Sequence, residues 1–85
     1  MSLFLDRLSN SMRYVVAKMQ DGYTLHVGIR RRYTSFLCVP EGGHTRNISM
    51  HIIKGLIRRG FIQRVEGART STTQQYELTE EGTRQ

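Results

Sequence analysis

Tryptophan is absent from the 85-residue sequence, and proline and cysteine occur once each. A lone cysteine excludes an internal disulfide and the usual multi-cysteine zinc frameworks, and it fits a reducing compartment, so a cytoplasmic location is expected. No run of residues approaches the roughly 18 to 20 apolar positions that span a bilayer. The apolar run within Met1 to Leu8 is interrupted by Asp6, so neither a membrane span nor a signal peptide is expected. Acids are scarce too: 7 Asp and Glu stand against 13 Lys and Arg, a formal net charge of +6. The short chain has room for one small domain, residues 1–85, with a modest core. That disfavours the deep substrate cleft of most enzymes, so a compact binding module without catalytic activity is the expectation.

The positive charge is concentrated in the middle of the chain. Arg30 to Arg64 holds Arg30, Arg31, Arg32, Arg46, Lys54, Arg58, Arg59 and Arg64 against Glu41 alone, a balance of +7. Met1 to Ile29 carries +1, and Val65 to Gln85 carries −2. Charge of one sign gathered in one segment is the footprint of a polyanionic partner, because each neutralised phosphate releases condensed counterions. A merely solvated basic face is the alternative.

Leu5, Leu8, Met12, Val15, Val16 and Met19 recur at helical spacing and predict a helix over Leu5 to Gln20, stopped by Asp21-Gly22. From Tyr23 the period becomes two, and Tyr23 to Ile29 and Tyr33 to Val39 read as a hairpin turned at Arg30-Arg31-Arg32. Three arginines at such a tip suit either contact with a phosphate backbone or protection of a sheet edge. Pro40-Glu41-Gly42-Gly43 reads as a loop. Asn47 and Ser49 are N-cap candidates for a helix running from Ile48 or Ser49 to Arg59 and ended by Gly60. Phe61 to Val65 and Thr73 to Leu78 read as strands joined by a polar loop, and Thr79 as the cap of a final turn opened by Glu80-Glu81.

The second helix carries the functional reading. At about 100° per residue, Ile52, Ile53, Leu56 and Ile57 share one side as a core stripe, while His51, Lys54 and Arg58 lie near the opposite side beside Gly55. The missing side chain of Gly55 either makes room for a nucleic acid or merely weakens the helix by about 1 kcal/mol.

Ile48-Ser49-Met50-His51-Ile52-Ile53-Lys54-Gly55-Leu56-Ile57-Arg58-Arg59-Gly60-Phe61-Ile62, then a polar loop, then Tyr76-Glu77-Leu78-Thr79-Glu80-Glu81-Gly82, resembles the recognition helix, wing and post-wing segment of bacterial winged helix-turn-helix regulators. The resemblance covers a little under half of the chain. It departs from the family pattern in two places: Ile52-Ile53 replaces a Thr-Val pair, and a hairpin stands where a scaffold helix is usual. The resemblance implies an α+β winged helix made of an N-terminal helix, a β-hairpin, a recognition helix and a two-stranded C-terminal wing. It also implies sequence-specific binding of double-stranded DNA by a transcriptional regulator. On that reading Ser49, Met50, His51 and Lys54 face base edges, Arg46, Asn47 and Arg58 hold phosphates, and Arg64 and Arg69 flank the wing, whose tip is Gly67 to Ser71. Arg59 is placed at the core edge. A homodimer on paired half-sites is expected, with Leu3, Phe4 and Leu5 as its surface. The layout is also similar to that of some small bacterial toxins that act on topoisomerase, which keeps a protein-binding inhibitor as the alternative.

Other chemistry is less well supported. His26, His44 and His51 with Cys38 match no strong metal-ligand spacing, and Cys38 sits in an apolar run. No Gly-rich phosphate loop follows a strand, so neither metal nor cofactor is expected. Tyr14, Tyr23, Tyr33 and Phe36 suit base stacking or, more commonly, packing within the sheet and core.

Overall fold

The computed structural model describes residues 8–85, and of Arg46 the backbone alone. Helix α1 (Asn10–Gln20) is capped by Ser9, whose hydroxyl accepts the Met12 N–H at 3.2 Å. The helix therefore starts later than the apolar spacing predicts, with Leu8 buried just ahead of it. The expected dimer surface at Leu3, Phe4 and Leu5 lies outside the described residues. Gly22, at φ +99°, turns the chain out of α1 in the left-handed conformation that a side chain disfavours.

Three strands follow as a meander: β1 (Thr24–Gly28), β2 (Ser35–Cys38) and β3 (His44–Ile48). Ser49 then opens α2 (Met50–Arg58), and Gly60, at φ +74°, ends it. Strands β4 (Ile62–Arg69) and β5 (Thr73–Leu78) form a second hairpin, and a short α3 (Glu80–Thr83) closes the chain. The Thr79 hydroxyl caps α3 by accepting the Gly82 N–H at 3.1 Å.

All five strands join one antiparallel sheet in the order β3-β2-β1-β5-β4. Leu25 and Val27 of β1, Leu37 of β2 and Ile62 of β4 turn to the helix-bearing face. There they meet Val15, Val16 and Met19 of α1 and Ile53 and Leu56 of α2. Each such burial is worth about 1.5–3 kcal/mol. On the opposite face His26, Phe36 and His44 form a row, with ring centroids 5.3 Å apart in the first pair and 4.6 Å in the second. Burial, and secondarily the nearby His44, hold the His26 imidazole below its usual range.

The expected winged helix is corrected by this architecture. A winged helix is organised around a helical core, whereas here strands outnumber helices and one sheet carries the fold. Where a scaffold helix would precede α2, the chain is β-sheet. The alternation in Tyr33 to Val39 makes β2, and His44–Ile48 adds β3 at its edge. The presumed wing is not a free appendage either: β5 is an interior strand, paired with β1 on one side and β4 on the other. Nor is all of Glu66 to Thr72 a loop: only Thr70 to Thr72 turns the chain. β4 runs on to Arg69 through a bulge between Arg64 and Arg69, with Gly67 at φ +80° and the Gln74 side-chain amide donating to the Val65 carbonyl at 2.9 Å.

Candidate nucleic-acid interface

The strand register fixes which loops share an end of the sheet. Gly28 pairs with Thr73, Ser35 with Ile48, and Arg69 with Gln74. The β1–β2 turn, the start of α2 and the β4–β5 tip therefore meet at one end. The first and last of these are joined directly by the Ile29 N–H donating to the Thr72 carbonyl at 3.0 Å. At the other end lie Asp21 before β1, Glu41 in the β2–β3 turn, Glu77 near the end of β5, and Glu80 and Glu81 in α3, while Glu66 lies within β4 between Arg64 and Arg69. The antiparallel order thus separates arginine-bearing turns from acid-bearing ones along the sheet.

At the basic end, Ser49 leaves the helix amides without a side-chain cap. Its hydroxyl instead shares a 2.7 Å hydrogen bond with His51 Nδ1, pairing two of the predicted site residues at the exposed start of α2. Met50 is 43% exposed, and its sulfur lies 3.6 Å from the hydroxyl of buried Ser35. That hydroxyl in turn accepts the Gly28 N–H at 3.0 Å, tying α2 to the end of β1.

Beside Met50 a hollow of about 310 Å³ opens on the helix-bearing face, lined by Val27, Gly28, Ile29, Arg64, Arg69, Gln74 and Tyr76 as well. Three predicted residues, Met50 of α2 and Arg64 and Arg69 of β4, are brought together here. Leu25 pairs with Tyr76 and Tyr76 with Arg64, while Val27 pairs with Gln74 and Gln74 with Arg69. Both arginines consequently point to the face on which α2 lies. Arg69 is the last residue of β4, not part of the tip, which is Thr70-Ser71-Thr72.

The exposed side of α2 is Met50, His51, Lys54, Ile57 and Arg58. Ile57, expected in the core stripe, is 42% exposed. The buried arc is rotated toward Ile52, Gly55 and Arg59 because α1 covers that flank. Gly55 is buried against the ε-methyl of Met12, so it provides helix-to-helix clearance and not room for a groove. Arg59 is half-buried, as expected of a core-edge residue, and Nη1 donates to the Gly55 carbonyl at 3.4 Å.

Not every predicted residue joins the hollow. Asn47 is exposed on β3 opposite Phe36 and, with Ser49, lines a separate groove against Asn10, Ser11 and Tyr14 of α1. Arg46 lies in β3. Arg58 sits at the far end of α2, about 12 Å along the axis from Met50. Arg30, Arg31 and Arg32, whose role the sequence left open, stand at the basic end. Only the distant pairing of β1 with β5 puts them there. All three are exposed, and the Arg32 guanidinium lies 5.2 Å from the Tyr33 ring.

Among the described residues the ion pairs are those of Arg84 with Glu80 and Glu81, at the acidic end. Lys54, Arg58, Arg64 and Arg69 are thus not neutralised by those acids. Also among the described residues, no three His, Cys, Asp or Glu side chains come together as a metal cage, and no helix is long and apolar enough to cross a membrane.

No protein-family model matches the chain, and no curated protein or solved structure is significantly similar to it.

Proposed function

We propose that this protein binds double-stranded DNA through the exposed side of α2 and the arginines of β4. The observation that carries the reading is the hollow in which Met50 meets Arg64 and Arg69 on the helix-bearing face, with neither arginine in an ion pair among the described residues. His51 and Lys54 offer hydrogen bonds to base edges, and Met50 an apolar surface for a thymine methyl group. Arg64, Arg69 and Arg58 hold phosphates, which set register without reading sequence. Regulation of transcription by a pair of copies on two half-sites is the use this chemistry suits best.

Duplex affinity measured across a salt series tests the reading. Binding is expected to weaken steeply with salt, and Arg64→Ala with Arg69→Ala to reduce the slope of log K against log salt by about 1.8, at about 0.9 per lost phosphate contact. His51→Ala is expected to alter the preferred sequence, whereas the arginine variant weakens all duplexes alike. Absence of duplex binding at low salt refutes the proposal and favours a protein partner for the same face.

A further inference from the structure

Between Arg64 and Arg69, β4 holds four residues where its partner strand has one. Arg64 stands opposite Tyr76 and Arg69 opposite Gln74, so Val65 to Ala68 face Gln75 alone. Five residues of unbroken strand would hold the two arginines about 17 Å apart, whereas two residues of β5 span about 7 Å. The bulge thus draws both arginines side by side onto the face that bears α2, since Tyr76 and Gln74 pair onward with Leu25 and Val27. It is also tied in place. The Gln74 amide donates to the Val65 carbonyl at 2.9 Å, and beyond Arg69 the Thr70 hydroxyl accepts the Thr73 N–H at 3.0 Å.

Arg64, Arg69 and Gln74 line two adjoining hollows, one of about 310 Å³ toward Met50 and one of about 430 Å³ over the bulge. Glu66 lines the second and, among the described residues, forms an ion pair with neither arginine. Like charges side by side on one sheet face repel, and an anion seated between them removes that cost. Charge that only guards a sheet edge has no use for an apolar floor. Here Val27, Ile29, Met50 and Tyr76 supply one.

Two guanidinium groups match the charge of a phosphate monoester, about −1.5 to −2 at neutral pH, and hold its oxygens in forked hydrogen bonds. A carboxylate brings a single charge. The first hollow lies at the small end of the range for ligand sites, about 300–1,000 Å³, so the occupant is compact. We infer that this hollow is a site for a phosphate monoester carrying a compact apolar group, with the phosphate between Arg64 and Arg69 and the apolar group against Met50 and Tyr76. On the duplex-binding reading, on which this second step rests, the same arginines hold DNA phosphates. Ligand and duplex then exclude each other, and the ligand releases the DNA.

The full chain, free of DNA, is titrated with phenyl phosphate and with inorganic phosphate while the NMR signals of the arginine, Met50 and Tyr76 side chains are followed. Saturable shifts are expected at Arg64 and Arg69 with both probes, with phenyl phosphate about tenfold tighter because its ring is buried. Met50→Ser should remove most of that advantage and keep the response to inorganic phosphate, whereas Arg69→Gln should weaken both. Equal affinity for the two probes, or shifts spread evenly over Arg30, Arg31 and Arg58, overturns the site and leaves duplex binding untouched. At one hundred times its Kd, phenyl phosphate should lower duplex affinity about a hundredfold beyond the effect of sodium sulfate at equal ionic strength. A duplex that stays bound overturns the exclusion. A chain that takes phenyl phosphate and no duplex keeps the site and loses the duplex reading.

Discussion

Substituting Gly55 with alanine separates two physical effects that the structure sets against each other. In a helix interior, alanine is favoured over glycine by about 0.8–1.0 kcal/mol. The new β-carbon, however, would fall on the ε-methyl of Met12, with the Met12 sulfur and Arg59 Nη1 each 3.6 Å away. Overfilling a packed contact costs about 1–3 kcal/mol, and the obstacle here is the tip of a flexible side chain, so the low end of that range applies. The two effects nearly cancel, and Gly55→Ala alone is expected to change stability by less than about 1 kcal/mol. With Met12→Ala the obstacle is gone and the full helical gain of about 1 kcal/mol should appear, a rise in Tm of about 4–8 °C in a domain of this size. Urea and thermal unfolding of the four proteins of this double-mutant cycle measure the coupling directly. Equal gains in both backgrounds would refute the α1–α2 contact as described. Duplex affinity should be unaffected by Gly55→Ala, and a large loss would return Gly55 to the DNA-facing side of the helix.

Two further perturbations reach other parts of the sheet. Burial and His44 hold the His26 imidazole below its usual value of 6.5. The unfolded chain then takes up a proton first as pH falls, so stability present above 6.5 is lost between 6.5 and the lower folded-state value. The fall of Tm over that window should be shallower in His26→Gln, and parallel curves would count against the assignment. At Gly28 an added β-carbon meets the backbone carbonyl of Tyr33, which cannot swing aside as a methionine tip can. Gly28→Ala should accordingly destabilise by about 1–3 kcal/mol in chemical denaturation, and an unchanged midpoint would contradict the tight turn.

Much of the local structure was legible in the sequence. The alternation of Tyr23 to Ile29, the stops at Gly22 and Gly60 and the cap at Thr79 depend on neighbouring residues, and each appears where expected; Ser49 holds the N-cap position of α2 but turns its hydroxyl to His51. β3 gave no such signal. His44-Thr45-Arg46-Asn47-Ile48 contains a single strongly apolar residue, because an edge strand with little to bury needs no alternating pattern. A helical wheel likewise shows which residues share a side but not which sides a neighbour covers. The wheel therefore puts Ile57 in the core and Gly55 on the open side, and the packing of α1 reverses both. The winged-helix expectation failed for a related reason. The sequence from Ile48 to Gly82 describes a helix followed by a hairpin, and nothing local to it discloses that β5 enters the middle of a larger sheet. The clustering of Met50, Arg64 and Arg69 depends on that same entry.

The insertion of β5 between β1 and β4 also has a thermodynamic consequence. The basic end draws its turn from the first half of the chain and its helix and hairpin from the second, and the halves join along the β1–β5 seam. Neither half contains the complete surface, so whatever spans that end binds the folded chain and not its fragments. Occupancy and folding are then linked. A ligand at one hundred times its Kd adds about 2.7 kcal/mol to the stability of the whole domain. Loosening the seam should in turn cost affinity without touching a contact residue.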